Sequence, residues 1–335
     1  MKAVCVPPYG GPEVMDFRDV PEPVCAADDL LVRVRAIGVN RADCLQRAGN
    51  YPPPAGASNV LGLEICGDVL ETGSDVIGFA PGDRIFGLVA SGAYAERAVI
   101  NYRHAAKLPS GWNAVQGASI VETFCTASET VFGLGNLDRG ETILIHAGAS
   151  GVGTAAVQMA KNVGATVLFT ASTQEKIDKV LALGADFAIN YRTHDFVEEV
   201  YRFTQGRGVD VIEDFIGADY LHRNLSALSH AGRLIMVGLM GSESCQFDPA
   251  IMLRKRLRIL GFKLRSQPVA LKQAIISRFT ERWLPLLVNG ELVAPVHAVY
   301  PFVDVIAAHT EMEANRNVGK IVLQLETFGG SALMQ

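Results

Sequence analysis

Two short stretches of this chain carry residue types able to do chemistry. The first is VNRADCLQRAGNYPPP at 39–54, followed by LGLEICG at 61–67. Asp43, Cys44 and Glu64 are metal-ligand types, and a catalytic zinc needs three protein ligands with a fourth position open. Asp43 and Cys44 are neighbours, however, and neighbouring side chains point apart in a strand or a helix, so Glu64 lacks the partners a metal would require. No metal site is expected, and Cys44 is read as buried and inert. The second stretch is HAGASGVGTAAVQMAK at 146–161, in which Gly148, Gly151 and Gly153 give the spacing G-x-x-G-x-G. Small residues let a backbone approach a pyrophosphate, and the open amides of a helix start supply donors and the positive end of a dipole. Glycines serving only a tight turn would leave the same spacing, so the motif counts only where a strand precedes it and a helix follows.

The surroundings supply that context, because short apolar runs alternate with helical patterns as in a parallel sheet with crossover helices. Strands are expected at 142–147, 166–170, 187–191, 209–216, 233–239 and 257–262, which is the count of two mononucleotide-binding halves. The helices between them, such as GVGTAAVQMAKNVG, QEKIDKVLALG and DFVEEVYRFTQG, each close on a glycine. The second strand selects the cofactor. A site for NAD places Asp or Glu at its end to accept from the ribose 2′-hydroxyl, whereas this strand ends FTASTQEK. Ser172 can donate to a 2′-phosphate and Lys176 can neutralise it, with Tyr191 and Arg192 adding to the pocket, so NADPH is the expected cofactor. The alternative for Lys176 is a plain surface lysine, and Glu175 reads as a first-turn helix acid favoured by the macrodipole.

The first 120 residues look different: LLVRVRAIGV alternates at period two, and Gly and Pro punctuate the rest, which predicts a mostly β domain. After position 265 come two helical segments and the strand GKIVLQL, with no core of their own. The expected fold is therefore α/β, a Rossmann doubly wound parallel sheet at 124–264 inserted in a mostly β domain made of 1–123 and 265–335. The tail TFGGSALMQ is expected to be loose. A length of 335 residues suits two domains. A formal net charge of −5 speaks against nucleic acid, despite a basic cluster at Arg254, Lys255, Arg256 and Arg258. No apolar run suits a signal peptide or a membrane span, and six scattered cysteines suit a reducing compartment, so the cytoplasm is the expected location.

These motifs together resemble the zinc-independent quinone oxidoreductases of the medium-chain dehydrogenase/reductase superfamily. The resemblance covers essentially the whole chain and rests on NRADCLQRAGNYPPPAGASNVLGLEICG, PGDRIFGL, GAYAERAVI, ETILIHAGASGVGTAAVQMAK and EANRNVGKIVLQL. Ser150 stands where other members commonly have glycine. The resemblance implies a GroES-like fold for the β domain and a cleft between the two domains with the nicotinamide at its base. It implies that Thr126 touches the carboxamide, that Gly151, Val152 and Gly153 meet the pyrophosphate, and that Ser172, Lys176 and Tyr191 surround the 2′-phosphate. Leu239, Met240, Phe262 and Leu264 would cover the nicotinamide ribose and ring, and Asn317 and Lys320 would close over the cofactor. It also implies a homodimer in which sixth strands, within RLRILGF, pair edge to edge.

Zinc enzymes of the superfamily place a Cys near the position of Asn40 and a His in a Gly-His-Glu triplet, where this chain has Gly62-Leu63-Glu64. Without a Lewis acid, an acceptor must carry the incoming charge on a phenolate or an enolate. The leading expectation is NADPH-dependent reduction of quinones, with Asn40 as a neutral donor, Asp43 holding its neighbours and Tyr51 as a phenol facing substrate. The alternative is reduction of α,β-unsaturated carbonyls or enoyl thioesters, in which Tyr51 would protonate or stabilise an enolate. A non-catalytic NADPH-binding protein is the second alternative.

Overall fold

The computed structural model describes residues 1–242 and 244–325, so TFGGSALMQ lies outside the described residues. The chain divides into two compact units, one of 123–264 with 281–295 and one of 1–122 with 265–280 and Val296 onward.

The first of these is built on six strands: β1 (Thr142–Ile145), β2 (Thr166–Ala171), β3 (Phe187–Asn190), β4 (Val209–Asp214), β5 (Leu228–Met236) and β6 (Arg258–Gly261). All pair in parallel, in the order 3-2-1-4-5-6. That is the doubly wound order, in which strand direction of travel reverses between β1 and β4 and opens a crevice beyond their carboxyl ends. Helices α1 (Gly151–Asn162), α2 (Gln174–Leu181) and α3 (Phe196–Phe203) form the crossovers. Each is followed by a glycine at positive φ, Gly164, Gly184 and Gly206, as the sequence predicts. Covered by helices on its faces, the sheet needs apolar side chains on both, and every residue of β1 is buried. One strand differs from expectation: β5 starts five residues early, at Leu228, because it pairs with Val209 before the left-handed Ala231 shifts the register.

The stretch 281–295, expected with the β domain, packs instead in this unit. Trp283 explains why. Its indole Nε1 donates to Ser128 Oγ at 3.1 Å, its ring lies 5.1 Å from that of Phe132, and Arg282 stacks over it at 4.4 Å. Farther along, the Gln158 side chain exchanges two 2.9 Å hydrogen bonds with the backbone of Val293, as a strand partner would.

The other unit centres on a seven-stranded sheet. The long strand Asp29–Val39 is its axis, pairing antiparallel with Glu64–Thr72, Arg97–Asn101 and Lys320–Gln324. Arg84–Leu88 and Ala105–Lys107 extend one side and Val296–Pro301 the other. The alternation in LLVRVRAIGV becomes an inward row, Leu30, Val32 and Val34, buried in one apolar core with Ile65, Ile85 and Ile100. The helix Arg41–Arg47 follows the axis strand directly, with Asn40 at its N-cap. The helix Val305–Glu313 contributes Val305, Ala308 and Met312 to the same core.

Candidate active site

At the carboxyl end of β1 the chain turns through Ala147, which sits at φ 51°, into α1. Ser150 is the N-cap, and its hydroxyl accepts the Gly153 amide at 3.0 Å. The amides of Gly151 and Val152 have no acceptor within their own helix, as at any helix start, and form the donor pair an anion would meet. Two glycines are required by contact. A Cβ on Gly153 would lie 2.5 Å from the Ala147 carbonyl, and one on Gly148 would lie 2.7 Å from Phe169 on β2. The turn can be this tight only with glycine at both places, and tightness is what brings backbone donors to a pyrophosphate.

At the end of β2, Ala171 stands where an NAD site would carry an acid. Ser172 and Lys176 are half-buried beside it, while Thr173 is taken up as the N-cap of α2, accepting the Lys176 amide. Glu175 is ion-paired with Lys179 at 2.8 Å, one turn along the helix. Tyr191 follows β3 and is exposed, its amide donating to the Ala171 carbonyl at 3.2 Å. This donor set, positive and free of an acid at the strand end, fits NADPH. Leu239 and Met240 are exposed after β5, and Phe262 and Leu264 are buried after β6. Thr126 lies near the end of the helix Val121–Ala127, just before a seven-residue π-helical turn, Ser128–Leu134.

The β-rich unit gathers a second group. Because Lys320–Gln324 and Glu64–Thr72 flank the axis strand, Lys320, Asn40 and Glu64 meet at neighbouring strand ends. The Lys320 ammonium donates to the Val39 carbonyl at 3.2 Å, to Asn40 Oδ1 at 2.8 Å and to Glu64 Oε1. The Asn40 amide donates to Gly38 O at 3.2 Å and to Glu64 Oε1 at 3.1 Å, and the Glu122 amide donates to Glu64 Oε2 at 3.0 Å. Two expectations change here. All three donors of Lys320 are used inside this cluster, rather than held ready for the cofactor. Both amide hydrogens of Asn40 are likewise committed, so Asn40 ties Glu64 to Lys320 instead of standing free as a donor. Asn317, also expected at the cofactor, is buried with its amide on the Gly319 carbonyl at 2.8 Å.

Asp43 is fully buried and holds its neighbours, accepting the Asn40 backbone amide at 2.8 Å and the Tyr94 hydroxyl at 3.2 Å on the same oxygen. Its other oxygen, Oδ1, has no hydrogen-bond partner. Burial outweighs these donors and pushes its pKa up to about 7. Behind Tyr94 is His309, whose Nδ1 faces the Arg47 guanidinium at 3.1 Å. A guanidinium can only donate, so Nε2 carries the imidazole proton and donates to the Tyr94 oxygen at 2.9 Å. The Cys44 thiol also lies on the His309 side, 3.6 Å from Nδ1, and burial followed by the Asp43 charge pushes its pKa up to about 12. Asp43, Cys44 and Glu64 thus face different partners, and among the described residues no cluster of three His, Cys, Asp or Glu is placed to hold a metal.

Tyr51 sits under the guanidinium of Arg265, 5.1 Å from its ring centre. Arg265 is buried and fixed by three acceptors: Ala90 O at 2.6 Å, Tyr51 O at 3.2 Å and Gln46 Oε1 at 2.7 Å. Desolvation first, then the nearby Glu122 carboxylate, raise the Tyr51 phenol, which keeps it protonated. Glu122, which retains some exposure, is itself pushed up to about 8 by desolvation and by Glu64. Arg265, Tyr94, His309 and Glu122 were not singled out by sequence. The available signals were slight: an arginine directly after Phe262 and Leu264, and a lone histidine in the apolar helix VIAAHTEME.

Known proteins resemble this chain over nearly its whole length. The model of the alcohol dehydrogenase GroES-like domain matches residues 26–110, and that of the zinc-binding dehydrogenases matches 151–280. The human quinone oxidoreductase is 30% identical over 332 residues, covering 97% of this chain and 98% of that protein. The Escherichia coli quinone oxidoreductase solved with NADPH superposes with a TM-score of 0.89 at 29% identity, over 97% of this chain and all of that one. The CurK enoyl reductase superposes with a TM-score of 0.85 at 26% identity, over 97% of this chain and 99% of that one.

Proposed function

This chain belongs to the zinc-independent quinone oxidoreductases of the medium-chain dehydrogenase/reductase superfamily, and on that premise we propose that it reduces quinones with NADPH, without a metal. The observation that carries the reading is the end of β2: this member of the family has Ala171 and Ser172 with Lys176 where an NAD enzyme would carry an acid. When bound, NADPH supplies the hydride. The Gly151 and Val152 amides receive the pyrophosphate, Gly148 and Gly153 keep the turn narrow, and Ser150 holds the helix start in shape. Ser172, Lys176 and Tyr191 hold the 2′-phosphate; Thr126 takes the carboxamide, and Leu239, Met240, Phe262 and Leu264 keep water from the ring. Tyr51 donates its phenolic hydrogen bond to the acceptor oxygen as negative charge grows there, held at one angle by Arg265. Asn40 and Asp43 act as positioning residues, fixing the Glu64–Lys320 pair and the helix start.

A second reading, reduction of α,β-unsaturated carbonyls or enoyl thioesters with Tyr51 as proton donor, is favoured by the likeness to an enoyl reductase. Following NADPH oxidation with 1,2-naphthoquinone and with crotonyl-CoA separates the two; quinone turnover is expected to dominate, and a preference for the thioester would reverse the assignment. Binding of NADPH without turnover of either would make the protein a non-catalytic binder. In the same assay Lys176→Ala is expected to cost about tenfold in KM for NADPH and little for NADH. The outer edge of β6, unpaired among the described residues, supports a homodimer joined strand to strand, and six free thiols support a reducing, cytoplasmic setting. No helix among the described residues is long and apolar enough to cross a membrane.

A further inference from the structure

Beneath the crevice between β1 and β4 lies a buried acid that the mechanism above does not use. Glu213, on β4 opposite Ile145 of β1, is fully buried. Its Oε1 contacts Thr130 Oγ1, and its Oε2 has no hydrogen-bond partner. Thr130 is in the π-helical turn, where the Gly135 amide reaches back five residues to the Thr130 carbonyl at 2.9 Å. The Thr130 hydroxyl also lies 2.8 Å from the carbonyl of Thr126. A threonine hydroxyl has one hydrogen, yet here it meets three acceptor oxygens, the Ala127 carbonyl at 3.4 Å and, in two shorter contacts, the Thr126 carbonyl and Glu213 Oε1. Both shorter contacts are hydrogen bonds only if the carboxyl group carries a proton of its own and gives it to Thr130, which is then free to donate to Thr126.

We propose that Glu213 is a positioning residue for the nicotinamide site: as a neutral carboxylic acid it donates to Thr130 Oγ1, Thr130 donates to the Thr126 carbonyl, and the wide turn carrying Thr126 is thereby fixed. Burial with a single side-chain partner and no neighbouring cation among the described residues agrees with this, since desolvation pushes the Glu213 pKa up to about 8. A turn with i to i+5 bonds is looser than an α-helical one, so a side-chain brace from the sheet is what gives it one geometry. The proposal rests on the reading that Thr126 meets the carboxamide end of NADPH.

The test compares Glu213→Ala, Glu213→Gln and Thr126→Ala in the full chain, measuring the Kd of NADPH and of 2′,5′-ADP, which lacks the nicotinamide half. Glu213→Ala is expected to weaken NADPH about tenfold while 2′,5′-ADP binds as before, the size of effect a lost buried hydrogen bond carries. Glu213→Gln, whose amide donates to Thr130 without a charge, is expected to stay within about twofold of the parent. Equal loss for both ligands in Glu213→Ala would mean general damage and would overturn the proposal, as would a Gln variant as impaired as the Ala one. An unaffected Thr126→Ala would remove the carboxamide reading and the proposal with it. An impaired Thr126→Ala beside an unaffected Glu213→Ala would leave that reading standing and remove the brace alone.

Discussion

The two units bury their acids in opposite ways. In the β-rich unit Glu64 is surrounded by donors: an ammonium, a side-chain amide and a backbone amide share its two oxygens. In the dinucleotide unit Glu213, equally buried, has one hydroxyl partner and an orphan oxygen. The first arrangement gives a buried carboxyl group donors on both oxygens; the second leaves one oxygen without any, and burial there favours the neutral acid. Donor count, more than depth, separates the two. Asp43 falls between them, with two donors on one oxygen, none on the other and a pKa of about 7.

The contrast can be broken most severely at Lys320. Replacing it in Lys320→Met leaves the Glu64 carboxylate buried without its cation, for an expected loss of about 4 kcal/mol in urea unfolding. The double variant Glu64→Gln/Lys320→Met is expected to recover part of that loss; if it does not, charge compensation is not what Lys320 supplies. A smaller effect, and one of opposite kind, is expected at Glu213. Its folded pKa of about 8 exceeds its ordinary value of 4.5, so between these the native state holds a proton that the unfolded chain has released. The stability this group contributes is complete below pH 4.5 and declines as pH rises through 8. Relative to Glu213→Gln, the parent should therefore lose roughly 3 kcal/mol between pH 5 and pH 8. A constant difference across that range would show that Glu213 is ionised in the folded protein. The mildest test concerns Arg265, which is held by neutral acceptors and not by an acid. Arg265→Lys keeps the charge and loses the fork and the stack on Tyr51, so quinone KM should rise about fivefold with NADPH KM unchanged.

Much of the dinucleotide unit was legible in the sequence because its signals are local. The β1 run, the glycine turn and the start of α1 are contiguous, and the absence of an acid after β2 is read from a few adjacent letters. The β5 start was not legible, since Ala231 at positive φ hides a register shift inside LSHAGRL. Nor was the allegiance of 281–295, because the sequence near Trp283 specifies an apolar face without naming the surface it covers. In the β-rich unit the residue types drew attention to Asn40, Asp43 and Glu64, but their roles depend on Lys320, which is 256 positions from Glu64. Side-chain partners that far apart leave no periodic trace, and the same holds for Tyr94 with His309 and for Thr130 with Glu213.

The π-helical turn has a consequence for how the chain tolerates change in length. A turn with five-residue spacing holds one residue more than an α-helix would need over the same path. Deleting a single residue within 128–134 would therefore let the segment relax into a regular helix. The flanking residues would keep their phase, because the residue removed is the one the wide turn holds in excess; the cost would fall on the turn itself, where the Thr130 hydroxyl meets Glu213. Thr126 would lose the contact its carbonyl makes with the Thr130 hydroxyl while the helix itself became more regular. One residue of chain length here sets a contact, much as a shim sets a clearance.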